Sequence, residues 1–324
     1  MNLSVIVPVY NGKHTLPFLV NRLAPVLESL AEHYELILVD DGSSDGSRET
    51  ISALALQHGW IRGIHLMRNF GQHNALLCGI RRARHEIIVT LDDDLQNPPE
   101  EIAKLLGGLT EDVDVVYGVS EKSGQGVWRR ALSWLYRVTL RKAMGAEAAS
   151  YASAFRAFRA HIRNAFEQYS CPHVSIDVLL SWGTNRFAQV AVEHHARPEG
   201  KSNYNFRKLA VHAFNNLSGF STAPLHLASL VGLSFTVLGV MLLAYVLVRY
   251  AAEGGSVPGF PFLASVIIIF SGVQLFCLGI FGGYLGRVFH RSLQCPTYLV
   301  RSSVPSEESP SASDRDRPPL RQVM

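Results

Sequence analysis

Apolar residues over the first 120 positions come in short, nearly unbroken runs separated by longer amphipathic stretches. The runs LSVIVPV (3–9), ELILVD (35–40), IRGIHL (61–66), EIIVTLD (86–92) and VDVVYG (113–118) predict strands. Helix-length segments lie between them, at 15–31, 47–58, 74–83 and 99–109. Strands that are apolar along their whole length, rather than at alternate positions, suit a parallel sheet covered on both faces. The alternation of strand and helix therefore predicts a doubly wound, Rossmann-like α/β domain. In such sheets ligands sit beyond the carboxyl ends of the strands.

The pattern changes downstream. No Asp, Glu, Lys or Arg occurs between Lys208 and Arg249, and the stretch 260–286 is also free of them. About 20 apolar residues span a bilayer core, whereas helices of soluble proteins average about 11 residues. Two transmembrane helices are expected, at 225–250 and 260–286. Arg207 and Lys208 precede the first, and Arg287, His290 and Arg291 follow the second. The connecting loop AAEGGSVPGFP holds no Lys or Arg. This asymmetry predicts a multi-pass protein of the cytoplasmic membrane with both termini in the cytoplasm. MNLSVIVPVY lacks the basic flank and long apolar core of a signal peptide, so it reads as the first strand of a cytoplasmic domain over 1–205.

Two further stretches read as helices lying on the membrane surface. VWRRALSWLYRVTLRKAM (127–144) sets five basic residues among Trp128, Trp134 and leucines, the composition of an interfacial helix. NYNFRKLAVHAFNNLSGF (203–220) runs toward the first span, and a juxtamembrane helix is expected over 206–224. A soluble core helix is the alternative for each. Residues 287–301 are expected as a cytoplasmic segment, and the Ser/Pro/charge-rich 302–324 as a disordered tail.

Composition narrows the classes. The formal charge of +3 is too mild to call for a nucleic-acid partner. Cys78, Cys171, Cys277 and Cys295 show no CxxC pair or metal-ligand spacing and read as reduced thiols. His194 and His195 are adjacent, so in a strand they would point to opposite faces and would not share an ion.

The polar motifs gather at the predicted strand ends. Pro8-Val9-Tyr10-Asn11-Gly12 closes the first strand and Asp40-Asp41-Gly42-Ser43-Ser44-Asp45 the second. Arg68-Asn69-Phe70-Gly71 follows the third, and Asp92-Asp93-Asp94 closes the fourth. Any one could be an ordinary turn; four on one edge make a nucleotide-sized site. Neither GxGxxG nor GxxxxGK[ST] is present, so a dinucleotide fingerprint and a P-loop are both unsupported. A diphosphate would then need a metal ion, and carboxylates suit Mg²⁺ or Mn²⁺ bridged to substrate phosphates.

VPVYN (7–11), VDDGSSD (39–45), RNFGQ (68–72), DDDLQNPPE (92–100) and the spaced set Arg197, Gly200, Ser202, Tyr204 resemble family 2 glycosyltransferases of the GT-A fold. More narrowly they are similar to the polyprenyl-phosphate glycosyltransferases. That group holds dolichyl-phosphate mannose synthase, bactoprenol glucosyltransferase and undecaprenyl-phosphate aminoarabinose transferase. The resemblance covers about residues 1–300. It implies Asp92, Asp94 and Gln96 as metal ligands, and Pro8, Tyr10, Asn11, Asp40 and Asp41 at the nucleotide. It also implies Ser202 and Tyr204 at the substrate. The implied reaction is inverting transfer of a sugar from a nucleotide diphosphate sugar, a UDP-sugar by preference, to a polyprenyl phosphate such as undecaprenyl phosphate. The product would be a lipid-linked sugar for modifying cell-envelope glycans. Relatives also imply a homo-oligomer, a tetramer among the options, and Gly279, Gly282, Gly283 and Gly286 would permit close helix packing.

Arg68, Arg156 and Arg197 are candidates for gripping phosphates, because a guanidinium fork matches phosphate geometry. Each could equally be a structural ion pair. Arg156 is placed with the catalytic residues Asp93 and Asp94, Asp93 as base, sugar-orienting group or structural neighbour. Two departures from the group's pattern stand out: Ala154 where an Asp is common, and Lys201 and Asn203 flanking Ser202. A phosphate monoester has its second pKa at about 6, so such an acceptor is already anionic and needs little help from a base at position 154. The rival readings are a processive polysaccharide synthase, which would want QxxRW and more spans, a nucleotidyltransferase, and a membrane scaffold or flippase partner with a degenerate transferase domain.

Overall fold

Strand β1 (Asn2–Val9) shows why the apolar runs are continuous. Leu3, Val5, Val7 and Val9 point into one core layer and Ile6 into another. In β2 (His33–Asp40), Leu36 and Leu38 join the first layer while Ile37 and Val39 join the second. Each strand is buried on both faces, so no polar alternation survives in the sequence. The computed structural model describes residues 1–120, 153–171, 174–195, 223–253, 259–293 and 295–305.

The chain forms two compact units. One comprises Met1–Gly124, Tyr151–Lys201 and Pro296–Met324, and the other Gln125–Ser150 and Ser202–Cys295. In the first, β3 (Ile61–Leu66), β4 (Ile87–Thr90), β5 (Val115–Ser120), β6 (Arg156–Arg159), β7 (Phe187–Val192) and β8 (Val300–Val304) complete an eight-stranded sheet. Its order is β7-β5-β6-β4-β1-β2-β3-β8. Strands β1 to β4 are mutually parallel, as expected. The sheet as a whole is mixed, because β6 runs antiparallel to both β4 and β5, and β8 antiparallel to β3. The antiparallel β6 brings its first residue to the site edge, with Arg156 in register with Thr90 of β4.

Helix α1 (Leu16–Leu30) buries Leu16, Leu19, Val20, Leu23 and Leu27, a stripe at three- and four-residue spacing. With Ile51 and Ala55 of α2 (Ser47–Gln57) and Ile102 and Leu105 of α4 (Ile102–Gly107), it covers the first layer. The short 3₁₀ turn Pro99–Glu101 precedes α4. Helices α3 (Gln72–Arg82) and α5 (Ile176–Gly183) cover the second layer, with Leu76, Leu77 and Ile80 facing Ile176, Leu179 and Leu180. Burying one such side chain contributes about 1.5–3 kcal/mol.

The expected strands and helices up to residue 118 are all present, with ends shifted by a few residues. Strands β6, β7 and β8 and helix α5 were not anticipated. Strand β8 corrects the expected tail, because the chain is ordered through Val304, past the boundary set at 302. Just before β8, Arg81 and Arg82 lie over the Tyr298 ring, with centroid distances of 5.9 and 5.8 Å. The edge of β3 is thereby covered rather than left open.

The second unit contains α6 (Ala223–Glu253) and α7 (Phe260–Ser292). Both are long and apolar enough to cross a membrane. Their large apolar side chains, among them Leu230, Leu233, Val240, Leu275 and Leu285, are exposed rather than packed in a core. These side chains find no core within the described residues of this unit. The Phe235 and Phe270 rings meet edge to face at 5.9 Å. A Cβ added at Gly239 would lie 2.9 Å from the Phe270 ring, so this glycine admits the close approach of the two helices. At Gly279, Gly282 and Gly286 an added Cβ would meet nothing within 4 Å, so these three glycines are not what pairs α7 with α6. The surface helices expected at 127–144 and over most of 206–224, and the tail beyond Pro305, lie outside the described residues.

Candidate active site

The loops after β1, β2, β3 and β4 meet at the carboxyl edge of the parallel strands. Two are laced together by side-chain to backbone bonds. The Asn11 amide donates to Ser43 Oγ at 3.0 Å, and Asn11 Oδ1 accepts from the Ser44 amide at 3.0 Å. The Gly12 amide donates to Ser47 Oγ and the Lys13 amide to Asp45 Oδ2, each at 3.0 Å. A third loop is tied by Asp41, whose carboxylate accepts the Phe70 and Gly71 amides at 2.7 and 2.8 Å. Burial, reinforced by its neighbour Asp40, raises the Asp41 pKa above the ordinary value against the pull of those two amides.

Gly42 makes this junction possible. Its φ of +71° is left-handed, and a Cβ there would sit 2.5 Å from the carbonyl carbon of Arg68. The backbone conformation alone would cost alanine about 1–2 kcal/mol, and the clash with main chain adds to it. Gly42→Ala should therefore lower the thermal midpoint. Gly59→Ala, where nothing lies within 4 Å, is the silent control in the same melting experiment.

A cleft of about 240 Å³ opens at this edge, lined by Pro8, Val9, Tyr10, Asp41, Asn69, Gly71, Gln72, Asp92, Asp93 and Asp94. All three consecutive aspartates thus face one cavity. Their charge is answered in part by the protein. Gln72 Nε2 donates to Asp92 Oδ1 at 2.6 Å, and the Gln96 amide donates to Asp94 Oδ1 at 3.1 Å. A Cβ at Gly12 would lie 2.2 Å from Asp93 Oδ2, so a side chain there would push that carboxylate aside. Leu95 follows with φ of +58° and, with Asn11 at +57°, is one of two non-glycine residues at positive φ among the described residues. Both stand in site loops, where such strain concentrates.

Among the described residues no three Asp, Glu, His or Cys side chains converge to cage an ion unaided. A hard divalent cation does not require that, since Mg²⁺ commonly takes one or two carboxylates plus substrate phosphates and water. An all-oxygen donor set on one wall of an open cleft fits such an ion.

Several expected site residues lie elsewhere. Asp40 is fully buried and does not line the cleft. Its Oδ2 stands 3.5 Å from Arg48 Nε and from His65 Nδ1, in ion-pair rather than hydrogen-bond geometry, and its Oδ1 accepts the Ser43 amide at 2.9 Å. Burial works to raise its pKa, but His65 and Ser43 outweigh it and hold the carboxyl below its usual value. Asn11 spends its side chain on the loop lacing. Arg68 is exposed, its guanidinium 4.6 Å from the centre of the Phe70 ring and outside the cleft lining. Gln96 is also outside that lining, and its carbonyl accepts the His195 amide at 2.8 Å. Neighbouring His194 contacts Asn97 Oδ1 at 3.3 Å.

Arg156 is 1% exposed and reads as a structural ion pair rather than a phosphate grip. It is paired with Asp177 and donates from Nε to Thr90 Oγ1 at 3.1 Å, while Tyr117 OH also donates to Asp177 at 3.1 Å. Position 154 is close by, since Thr90 Oγ1 donates to the Ala154 carbonyl at 2.7 Å. Arg197, Ser202 and Tyr204 lie outside the described residues. Asn69 and Gln72 of the RNFGQ stretch also line the cleft, which nothing in the sequence marks for those two positions.

Residues 4–170 match the model of glycosyl transferase family 2. The chain is 36% identical to an undecaprenyl-phosphate 4-deoxy-4-formamido-L-arabinose transferase of Shewanella sediminis (strain HAW-EB3), covering 97% of this chain and 96% of the relative. It is 35% identical to the protein of the same name from Proteus mirabilis (strain HI4320), covering 93% of each. Among solved structures, glucosyl-3-phosphoglycerate synthase from Mycobacterium tuberculosis, in complex with Mn²⁺, UDP-glucose and phosphoglyceric acid, superposes with a TM-score of 0.51. That match has 20% identity over 67% of this chain and 77% of the other. The strand order, the cleft at the strand ends and these matches agree: the chain belongs to glycosyl transferase family 2.

Proposed function

We propose that this protein transfers a sugar from a nucleotide diphosphate sugar, a UDP-sugar by preference, to undecaprenyl phosphate or a polyprenyl phosphate of that kind. The observation that carries the reading is the convergence of Asp92, Asp93 and Asp94 with Asp41 and Asn69 in one cleft, on a chain that also holds two bilayer-length helices. The names of the relatives support the acceptor.

Tyr10, Pro8, Asp41 and Asn69 form the wall suited to a base and ribose, with an exposed ring and paired polar groups. Asp92 and Asp94 would hold Mg²⁺ or Mn²⁺, which when bound supplies Lewis-acid stabilisation for a departing diphosphate. Asp93, kept beside Gly12, orients the sugar. An acceptor phosphate oxygen forms the new bond to the anomeric carbon as the bond to the diphosphate breaks, and the leaving oxygen takes the electron pair. No proton must be removed from a phosphate that is already anionic, so Ala154 leaves the chemistry intact. Displacement from the opposite face inverts the anomeric centre. Asp40, Asn11 and Arg156 serve by holding loops. The protein sits in the cytoplasmic membrane with its catalytic unit and both termini on the cytoplasmic side, as the Lys/Arg distribution favours, and as a homo-oligomer.

The test is transfer of radiolabel from nucleotide sugars into the organic phase by the purified full chain with Mn²⁺ and undecaprenyl phosphate. A donor carrying 4-deoxy-4-formamido-L-arabinose comes first on the panel. Transfer from one donor, lost with EDTA, is the expected result. No transfer from any donor, together with no metal-dependent nucleotide binding, would overturn the reading.

A further inference from the structure

The buried pair Arg156–Asp177 is connected to the carboxylate turn by two routes. On one side, Arg156 Nε donates to Thr90 Oγ1 at 3.1 Å, and Thr90 is two residues from Asp92. The same hydroxyl donates to the Ala154 carbonyl at 2.7 Å, so it is fixed in both its roles. On the other side, Asp177 lies in the first turn of α5, whose leading amide, that of Ile176, donates to His73 Nδ1 at 3.4 Å. His73 follows Gln72, and Gln72 Nε2 donates to Asp92 Oδ1 at 2.6 Å. The bonds close a ring that begins and ends at Asp92: through Thr90, Arg156, Asp177, the start of α5, His73 and Gln72. Of that ring, Asp92 and Gln72 face the cleft; Arg156 and Asp177 are buried.

We propose that Thr90, Arg156 and Asp177 are positioning residues that set the carboxylate of Asp92 for a divalent cation, without touching substrate. The inference rests on the metal reading above. Its physical basis is that one carboxylate oxygen already accepts a fixed donor, and that the strand end carrying it is tied from beneath. The cation would then meet a carboxylate whose direction is set before it binds. Removing such outer support from a metal ligand typically costs about 10–100-fold in metal affinity or activity.

The decisive measurement is Mn²⁺ affinity by electron paramagnetic resonance on the purified full chain without donor or acceptor. It is made for the wild type, Thr90→Val, Thr90→Ser and Asp94→Ala, with melting curves on the same samples. Val keeps the shape of Thr and removes the hydroxyl; Ser keeps the hydroxyl. The expected result is Mn²⁺ affinity about tenfold weaker in Thr90→Val, retained in Thr90→Ser, and lost in Asp94→Ala. Equal affinity in Thr90→Val and wild type, with Asp94→Ala still defective, would overturn this inference and leave the metal reading standing. Equal weakening in Thr90→Val and Thr90→Ser would also overturn it, because packing and not the hydroxyl would then be responsible. A wild type that binds no Mn²⁺ would overturn both.

Discussion

Asp94→Ala should abolish transfer while leaving the melting curve of the protein close to that of the wild type. Asp94 is half-buried on the cleft wall, and within the chain its Oδ1 accepts the Gln96 amide at 3.1 Å. The carboxylate faces the open cleft, where water can take its place, so the structural cost is small. The catalytic cost is large. Metal stabilisation of a leaving oxygen is worth several kcal/mol, and each ~1.4 kcal/mol is tenfold in rate. A loss of about 10³-fold or more follows. Asp94→Asn is the sharper variant, because it keeps the shape and an oxygen for Gln96 and removes only the charge. It should fail nearly as badly in the organic-phase transfer assay. If Asp94→Asn kept most of the activity, the negative charge at this position would not be what the reaction uses, and the metal reading would fall.

The aspartate string and Arg156 differ in how much of their surroundings a sequence records. Three adjacent carboxylates have no stable arrangement without something to answer their charge, so the string itself demands a partner. A single arginine after an apolar strand makes no such demand. The sequence reads the same whether its guanidinium grips a phosphate or an aspartate far along the chain, and Asp177 carries no mark that pairs it with Arg156. Asp40 and Asn11 are open to the same double reading. Polar residues at strand ends bind either ligands or neighbouring loops, and His65 and Ser43, which engage these two, lie 25 and 32 positions away from them in the chain. Gln72 was hidden differently, because its value comes from the placement of the first turn of α3 beside Asp92.

The same logic divides the fold. Strands β1 to β4 are covered on both faces, so burial wrote itself into Val, Ile and Leu runs. β8 is an edge strand held by main-chain bonds to β3, and its sequence VRSSV resembles a polar linker. β6 reads RAFR because its first arginine is buried against an acid, and no periodicity of apolar residues reports a buried salt bridge. The long helices α6 and α7 are legible as helices because each is apolar over a length that few soluble helices reach.

Asp177→Ala should produce the largest loss of stability of any single substitution at this edge. It leaves Arg156 charged, 1% exposed and without its counterion, and it leaves the buried Tyr117 hydroxyl without its acceptor. Breaking a buried pair by removing one member costs about 3–5 kcal/mol. In a unit of this size each kcal/mol moves the midpoint by about 2–4 °C, so a fall on the order of 10 °C is expected in a thermal melt. The pair itself need not be stabilising. Replacing both members by apolar residues of similar size removes the desolvation penalty along with the attraction, and is often close to neutral. Arg156→Met with Asp177→Leu should therefore recover most of the midpoint, and adding Tyr117→Phe should recover more by removing the orphaned hydroxyl. Mn²⁺ affinity should not recover with it, because Thr90 would still have lost the donor that fixes it. Stability restored without metal affinity would separate the two roles of Arg156. Both restored together would make the pair an ordinary core contact, and the ring around Asp92 a coincidence of packing.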